Sequence, residues 1–205
     1  MLPAGKILGD RYEIIKDLCL KSGFGDTYLA KDNKLPGKPS CVVKHLKPKG
    51  AITGVPPSPN LLKLARRLFE TEAKVLYELG NESRQIPTLF AHFEEEGEFY
   101  LVQEFVDGKD LTHEMIPGQK KSESQVITLL KNILEVLAVA HEHQPYGVIH
   151  RDIKPANLMR RQDGKIVLID FGAVREINQL IVNVNGGVTT TVAIGTPGYM
   201  PIRFS

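Results

Sequence analysis

The sequence predicts an α+β protein of two lobes, and three observations carry that reading. Residues 1–106 hold five strand-like runs and one long helix. Residues 107–205 open on a capped helix and continue as loops and short strands. Val106-Asp107-Gly108 is a short linker between them. The first lobe is therefore expected to be a five-stranded antiparallel sheet plus one helix, and the second a helical lobe. A crevice between two lobes is a usual place for a ligand.

Each element has a local reason. Tyr12 to Leu18 and Thr27 to Ala30 read as strands around a turn containing Gly23-Phe24-Gly25. Cys41 to Leu46 reads as a third strand, and Lys44 shares a face with Val42 and Leu46 because strand side chains alternate. Gly50 to Pro59 is rich in glycine and proline and reads as a loop. Asn60 is expected to cap a helix from Leu61 to Leu79, with Gly80 as its stop. Phe90 to Glu95 and Phe99 to Phe105 form a hairpin turning near Glu96-Gly97.

Ser122 and Gln125 have the capping-box spacing before a helix from Glu123 to His143. Its apolar residues Val126, Leu129, Leu130, Ile133, Leu134 and Leu137 recur at helical spacing and read as core. A short strand pair is expected near Leu158 and Val167, followed by a threonine-rich loop.

Composition narrows the class. The 205 residues are 42% hydrophobic and 24% charged, with a net charge of +2. That balance supplies no electrostatic case for a nucleic acid or a membrane surface as partner. Cys19 and Cys41 are the two cysteines and read as reduced thiols rather than a disulfide. The N-terminus lacks the apolar core of a signal peptide. Val126 to Ala140 is too short and too interrupted to span a bilayer, so a cytoplasmic protein is expected.

The chemistry concentrates in His150-Arg151-Asp152, Asn157 and Asp170-Phe171-Gly172. Asp152 and Asn157 have the spacing of H-R-D-L-x-x-x-N, with Ile153 in place of leucine. An acid there can accept or orient a hydroxyl proton, and an amide and a second acid can hold Mg²⁺ against phosphates. Asp-Phe-Gly alone is an ordinary turn sequence, but the combination in this order is specific. A separate argument joins Lys44 to Glu72. Glu72 falls within the apolar stripe Ala65, Leu68, Phe69, Val75, Leu76, Leu79, where a carboxylate needs a partner.

On these residues the chain, from about Arg11 to Met200, resembles the bacterial branch of the eukaryotic-like serine/threonine protein kinases. The resemblance implies a kinase N-lobe over 1–106 and a partial C-lobe over 107–205. It implies ATP-dependent, Mg²⁺-dependent phosphoryl transfer to a protein serine or threonine. Asp152 is then the catalytic acid, and Lys154 acts near the γ-phosphate. Lys44 contacts the α- and β-phosphates, paired with Glu72. Asn157 and Asp170 hold the metal. Gln103 lies beside the adenine, the backbones of Glu104 and Val106 bond its edge, and Val42 and Met159 flank it. Gly23, Phe24 and Gly25 are what survives of the phosphate-covering loop. Thr196 falls near Asp152 and Lys154, and Thr189, Thr190, Thr191 and Thr196 are candidate phosphorylation sites.

Two departures stand against an active enzyme. The family loop is G-x-G-x-x-G, whereas registering on Gly25 puts Leu20 and Ser22 at the first two glycine positions, and registering on Leu18 puts Cys19 at the first with one residue inserted. Fewer glycines let fewer backbone N–H groups approach a phosphate. After Pro201 the chain reads Ile202-Arg203-Phe204-Ser205 instead of a proline-glutamate ending. The expectation is a truncated kinase with impaired turnover, associating through exposed C-lobe surface. The competing readings are a non-catalytic nucleotide-binding or interaction module and a small-molecule kinase. Lys154 and Gly195-Thr196-Pro197-Gly198-Tyr199-Met200 count against the latter.

Overall fold

The computed structural model describes residues 1–18, 25–46, 59–145, 147–173, 175–176, 196 and 198–199. The chain divides into two compact units, Met1–Gly80 with Pro87–Phe105, and Asn81–Ile86 with Val106–Ser205.

The first unit is built on β1 (Ile7–Leu8), β2 (Tyr12–Asp17), β3 (Gly25–Asp32), β4 (Ser40–Leu46), helix α1 (Pro59–Glu82), β5 (Leu89–Glu95) and β6 (Glu98–Glu104). All six strands form one antiparallel sheet in the order β1-β2-β3-β4-β6-β5. Five strands were expected. The sixth, β1, is two residues long, too short for any alternation to show in the sequence.

Register decides which residues share a face. Val43 pairs with Tyr28 and Val102, so one face carries Tyr28, Ala30, Cys41, Val43, Tyr100 and Val102. These join Leu8, Tyr12 and Ile14 in a buried core against which Leu2 packs. The N-terminal segment is tied down by the Leu2 N–H donating to the Tyr28 hydroxyl (2.9 Å) and the Gly9 N–H donating to Glu95 Oε2 (2.7 Å). The opposite face carries Thr27, Val42, Lys44, Leu101 and Gln103.

Helix α1 begins at Pro59, where the missing N–H costs nothing, so Asn60 lies inside it rather than at its cap. It also runs through Gly80 instead of stopping there. The glycine answers a close approach: a Cβ at Gly80 would stand 2.6 Å from the Pro87 carbonyl oxygen. The buried face of α1 holds Phe69, Glu72, Ala73, Val75, Leu76 and Leu79, whereas Leu68 is exposed.

The second unit contains β7 (Gly108–Asp110), α2 (Glu123–Glu142), β8 (Val148–Ile149), β9 (Leu158–Arg161), β10 (Ile166–Leu168) and β11 (Arg175–Glu176). Strands β10, β9 and β7 form one small sheet and β11 and β8 another. Met159 pairs with Val167, the expected strand pair. Residues 81–86 belong here by contact, although the sequence boundary assigned them to the first lobe. The reason is Gln85. Its Nε2 donates to the Asn132 and Ile166 carbonyls (3.0 Å each), and its own carbonyl accepts from the Leu168 N–H (2.9 Å).

Helix α2 starts as expected. The Gln125 N–H donates to Ser122 Oγ (3.3 Å) and the Ser122 N–H to Gln125 Oε1 (2.8 Å). Its apolar stripe is only partly core, with Leu129, Ile133 and Leu137 half-buried. Val126, Ile127, Leu130 and Leu134 are 40%, 45%, 51% and 62% exposed, and the buried positions are Val136 and Ala140.

Candidate active site

In the first unit, Lys44 Nζ lies 2.8 Å from Glu72 Oε1 with both side chains buried. Alternation along β4 turns Lys44 towards the α1 side, and register sets it between Thr27 and Leu101. Phe69, three residues before Glu72, packs its ring at a tilt against Phe99 of β6 (5.1 Å between ring centroids) and anchors the helix over the sheet. A buried ion pair of this kind is weak support for stability, because desolvation offsets the attraction. What it accomplishes is to hold an ammonium group in one place.

Around that pair, Val42 and Gln103 face each other across β4 and β6. The Glu104 N–H is already used, donating to the Thr88 carbonyl (2.9 Å). Gly25 opens β3 opposite Leu46, and a Cβ there would overlap the His45 carbonyl oxygen. Strand pairing therefore explains this glycine without any phosphate. Gly23 and Phe24 lie outside the described residues.

The second unit assembles the acid. Lys154 begins a 3₁₀ turn over Pro155–Asn157, and this turn folds the Asn157 amide back onto Asp152. Asn157 Nδ2 donates to the Asp152 carbonyl (2.9 Å) and to Oδ2 (3.0 Å). Lys154 Nζ donates to Asp152 Oδ2 (2.8 Å) and to Thr196 Oγ1 (2.7 Å). The Thr196 hydroxyl donates in turn to Asp152 Oδ1 (2.7 Å). Both carboxylate oxygens are thus held. Burial pushes the Asp152 carboxyl up, but the hydrogen bonds from Lys154, Thr196 and Asn157 and the Lys154 charge outweigh it. The net result is a carboxyl below its ordinary range, ionised at neutral pH.

His150 supports this loop from behind. Its Nε2–H donates to the Ile169 carbonyl (3.2 Å), and its Nδ1 accepts from the Asp152 N–H (3.3 Å), a pattern that the neutral Nε2–H tautomer satisfies. The ring meets Phe171 edge-on at 5.0 Å. The Ile169 N–H donates to the Asn157 carbonyl (2.9 Å), so the Asp152 loop and the Asp170 turn are tied at two levels.

Arg151 (φ 63°) and Asp170 (φ 66°) both adopt left-handed backbone, one within each motif. Non-glycine residues persist there at about 1–3 kcal/mol each, and such strain clusters at functional sites. Met159 lies on β9 between Asp110 of β7 and Val167 of β10, and Val106 is buried in the same unit. Thr189, Thr190 and Thr191 fall outside the described residues.

Sequence reasoning missed two networks here. Gln85 is one. The other is Glu114, which binds Arg160 Nε (2.5 Å) and Lys121 Nζ (3.0 Å). These contacts bridge distant parts of the chain and leave no periodic trace. Glu114, Lys121, Gln125 and Arg160 line a groove of about 460 Å³ near the start of α2, separate from the Asp152 cluster.

The protein kinase domain family matches residues 37–203. The chain belongs to that family. This kinase-family chain is 45% identical to serine/threonine-protein kinase PknA of Nostoc sp., over 96% of its own length and 33% of the relative's. It is 44% identical to serine/threonine-protein kinase C of Synechocystis sp., over 95% of its length and 35% of the relative's. It therefore spans about a third of the length of these curated relatives. Among solved structures, the Mycobacterium tuberculosis PknI kinase domain matches with a TM-score of 0.63 at 26% identity, covering 84% of this chain and 63% of that one. The likeness is to the bacterial, eukaryotic-like serine/threonine kinases, as its motifs imply. No helix among the described residues is long and apolar enough to cross a membrane.

Proposed function

We propose that this chain is a serine/threonine kinase catalytic region that transfers the γ-phosphoryl group of ATP to a protein hydroxyl. The observation that carries the proposal is Asp152, ionised and held by Lys154, Asn157 and Thr196. Its Oδ1 already accepts from a threonine hydroxyl at 2.7 Å, the geometry that a substrate serine or threonine requires. Asp152 orients that hydroxyl and takes its proton as the oxygen bonds to the γ-phosphorus. The bond from that phosphorus to the bridging oxygen breaks, and ADP leaves. Lys154 neutralises charge near the transferred group, and Lys44, fixed by Glu72, meets the α- and β-phosphates.

Mg²⁺ fits the remaining donors. Both hydrogens of the Asn157 amide point at Asp152, which leaves its Oδ1 to ligate, and Asp170 offers a carboxylate. Among the described residues no cluster of three or more His, Cys, Asp or Glu could hold a metal alone. A Mg²⁺ ion that shares its ligands with nucleotide phosphates needs no such cluster. When bound, it supplies charge stabilisation of the phosphates.

Gln103, Val42 and Met159 and the backbones of Glu104 and Val106 make up the proposed base site. Gly23, Phe24 and Gly25 make up the covering loop. The domain assignment follows, with a kinase N-lobe over 1–106 and C-lobe sequence over 107–205. A cytoplasmic setting suits an ATP-consuming protein with a buried free thiol at Cys41. The exposed residues of α2 favour association of this chain through that surface. Retention of Lys44, Glu72, Asp152, Asn157 and Asp170 opposes the non-catalytic alternative, and the relatives named as serine/threonine kinases do not favour it.

The test is transfer of labelled phosphate from ATP to a serine/threonine peptide, with and without Mg²⁺. Label on serine or threonine that depends on Mg²⁺ and Asp152 supports the assignment. Label on tyrosine alone, or absence of ATP–Mg²⁺ binding by folded protein at millimolar nucleotide, overturns it.

A further inference from the structure

The groove near the start of α2 has a volume of about 460 Å³, within the ~300–1,000 Å³ range of ligand-binding clefts. Its lining residues all belong to the second unit. One wall is the pair of Glu114 and Arg160. Arg160 Nε and Nη2 donate to the two carboxylate oxygens of Glu114, and Lys121 Nζ donates to Oε2 (3.0 Å). The one carboxylate that lines the groove is therefore spent on the groove's own cations.

The other wall is one face of α2. Ser124, Gln125 and Thr128 lie three and four residues apart along it, and Lys121 precedes the Ser122 cap. An ammonium group has three N–H donors, so Lys121 keeps donors beyond its bond to Glu114. Gln125 Oε1 is used by the capping box, which leaves its Nε2 to donate outward. The Thr128 hydroxyl makes no hydrogen bond among the described residues. Donors are in excess here, and two cations stand against one carboxylate. Leu129 adds an apolar patch to the lining, and Met115 and Ile116, which follow Glu114, are exposed. Ser124 to Leu129 covers ~7–8 Å of helix axis, and Lys121 extends this to about three residues of extended chain.

We propose that this groove docks an extended acidic segment of a protein partner, whose carboxylates take the donors of Lys121, Gln125 and Thr128 while an apolar side chain rests on Leu129. The proposal stands apart from the phosphoryl-transfer reading, because the bonds to the Asp152 side chain come from Lys154, Asn157 and Thr196. A basic segment would meet Lys121 and Arg160 with Glu114 already engaged. A compact anion would leave most of the length unfilled.

Fluorescence anisotropy of the 205-residue chain with a labelled tetrapeptide of three glutamates and one leucine tests this. The same peptide with glutamines for glutamates should bind about three- to tenfold more weakly. Lys121→Gln should weaken the acidic peptide about three- to fivefold, the worth of an exposed ion pair, and Lys121→Arg should restore it. Lys165→Gln removes the same charge from an exposed residue outside the groove and should change nothing. Melting temperatures should stay close to the parent's, since Arg160 still holds Glu114 in the Lys121 variants. Equal affinity for the glutamine peptide, or no binding at millimolar peptide, overturns the proposal. So do equal losses from Lys121→Gln and Lys165→Gln, which would mean diffuse charge. Displacement of the peptide by inorganic phosphate at equal concentration would make this a general anion site and overturn the peptide assignment.

Discussion

Thr196 donates its hydroxyl proton to Asp152 Oδ1 at 2.7 Å, across 44 residues of chain. The contact joins Thr196 to the carboxylate proposed to act on the substrate hydroxyl and, with Lys154 and Asn157, lowers the Asp152 pKa. Thr196→Val keeps the shape and removes the donor. The Asp152 pKa should rise, and the acidic limb of the kcat/KM profile should move to higher pH with it. Asp152→Asn should lower turnover about 10²–10⁴-fold with nucleotide affinity little changed. Both are read in a longer form carrying the rest of a relative's kinase domain. An unmoved limb in Thr196→Val would show that this hydroxyl does not tune the acid.

The Lys44–Glu72 pair predicts a thermodynamic asymmetry. Lys44→Met removes the ammonium beside a buried carboxylate, and should destabilise the first unit by about 3–5 kcal/mol. The double change Lys44→Met with Glu72→Leu should recover most of that, because no buried charge remains. Denaturant midpoints of the two single variants and the double give the coupling energy. Additive losses would mean that the two groups do not compensate one another.

Acid should loosen the second unit through Glu114. Hydrogen bonds from Arg160, then Lys121, lower its carboxyl to about 2. A depressed folded pKa means that the stabilisation is present above the unfolded value near 4.5 and is lost as pH falls towards 2. Asp152, also depressed, adds a loss of the same sign. Melting temperatures between pH 5 and pH 2 should fall more steeply for the parent than for Glu114→Gln. Parallel curves would place the acid sensitivity elsewhere.

The α2 stripe predicts self-association. Leu130→Glu with Leu134→Glu places charge at two exposed positions and should shift the chain towards monomer without lowering its melting temperature. Sedimentation across a concentration series reads this. Association unchanged by the double variant would exclude this face.

Helix and strand identities were legible wherever a residue's role is local. The capping box of α2 depends on Ser122 and Gln125, three residues apart, and stands as expected. The facing of Lys44 followed from alternation along a single strand, and the placement of Glu72 from helical spacing. His150, Asp152 and Asn157 were likewise legible, because one tight loop holds them.

What the sequence by itself determined was therefore the set of candidate reactive groups and most of the elements that carry them. Tertiary structure decided how far each apolar position is covered. The stripe of α2 has the periodicity of a core helix, yet Val126, Leu130 and Leu134 lie exposed while Leu129, Ile133 and Leu137 are half-buried, because periodicity reports a helix's own shape and not what packs against it. Tertiary structure also made Gly80 a packing site instead of a helix stop. It closed the carboxylate of Asp152 with a hydroxyl from residue 196 and left Gln103 Oε1 without a partner. Each of these depends on contacts between residues far apart in the chain, and no local pattern encodes them.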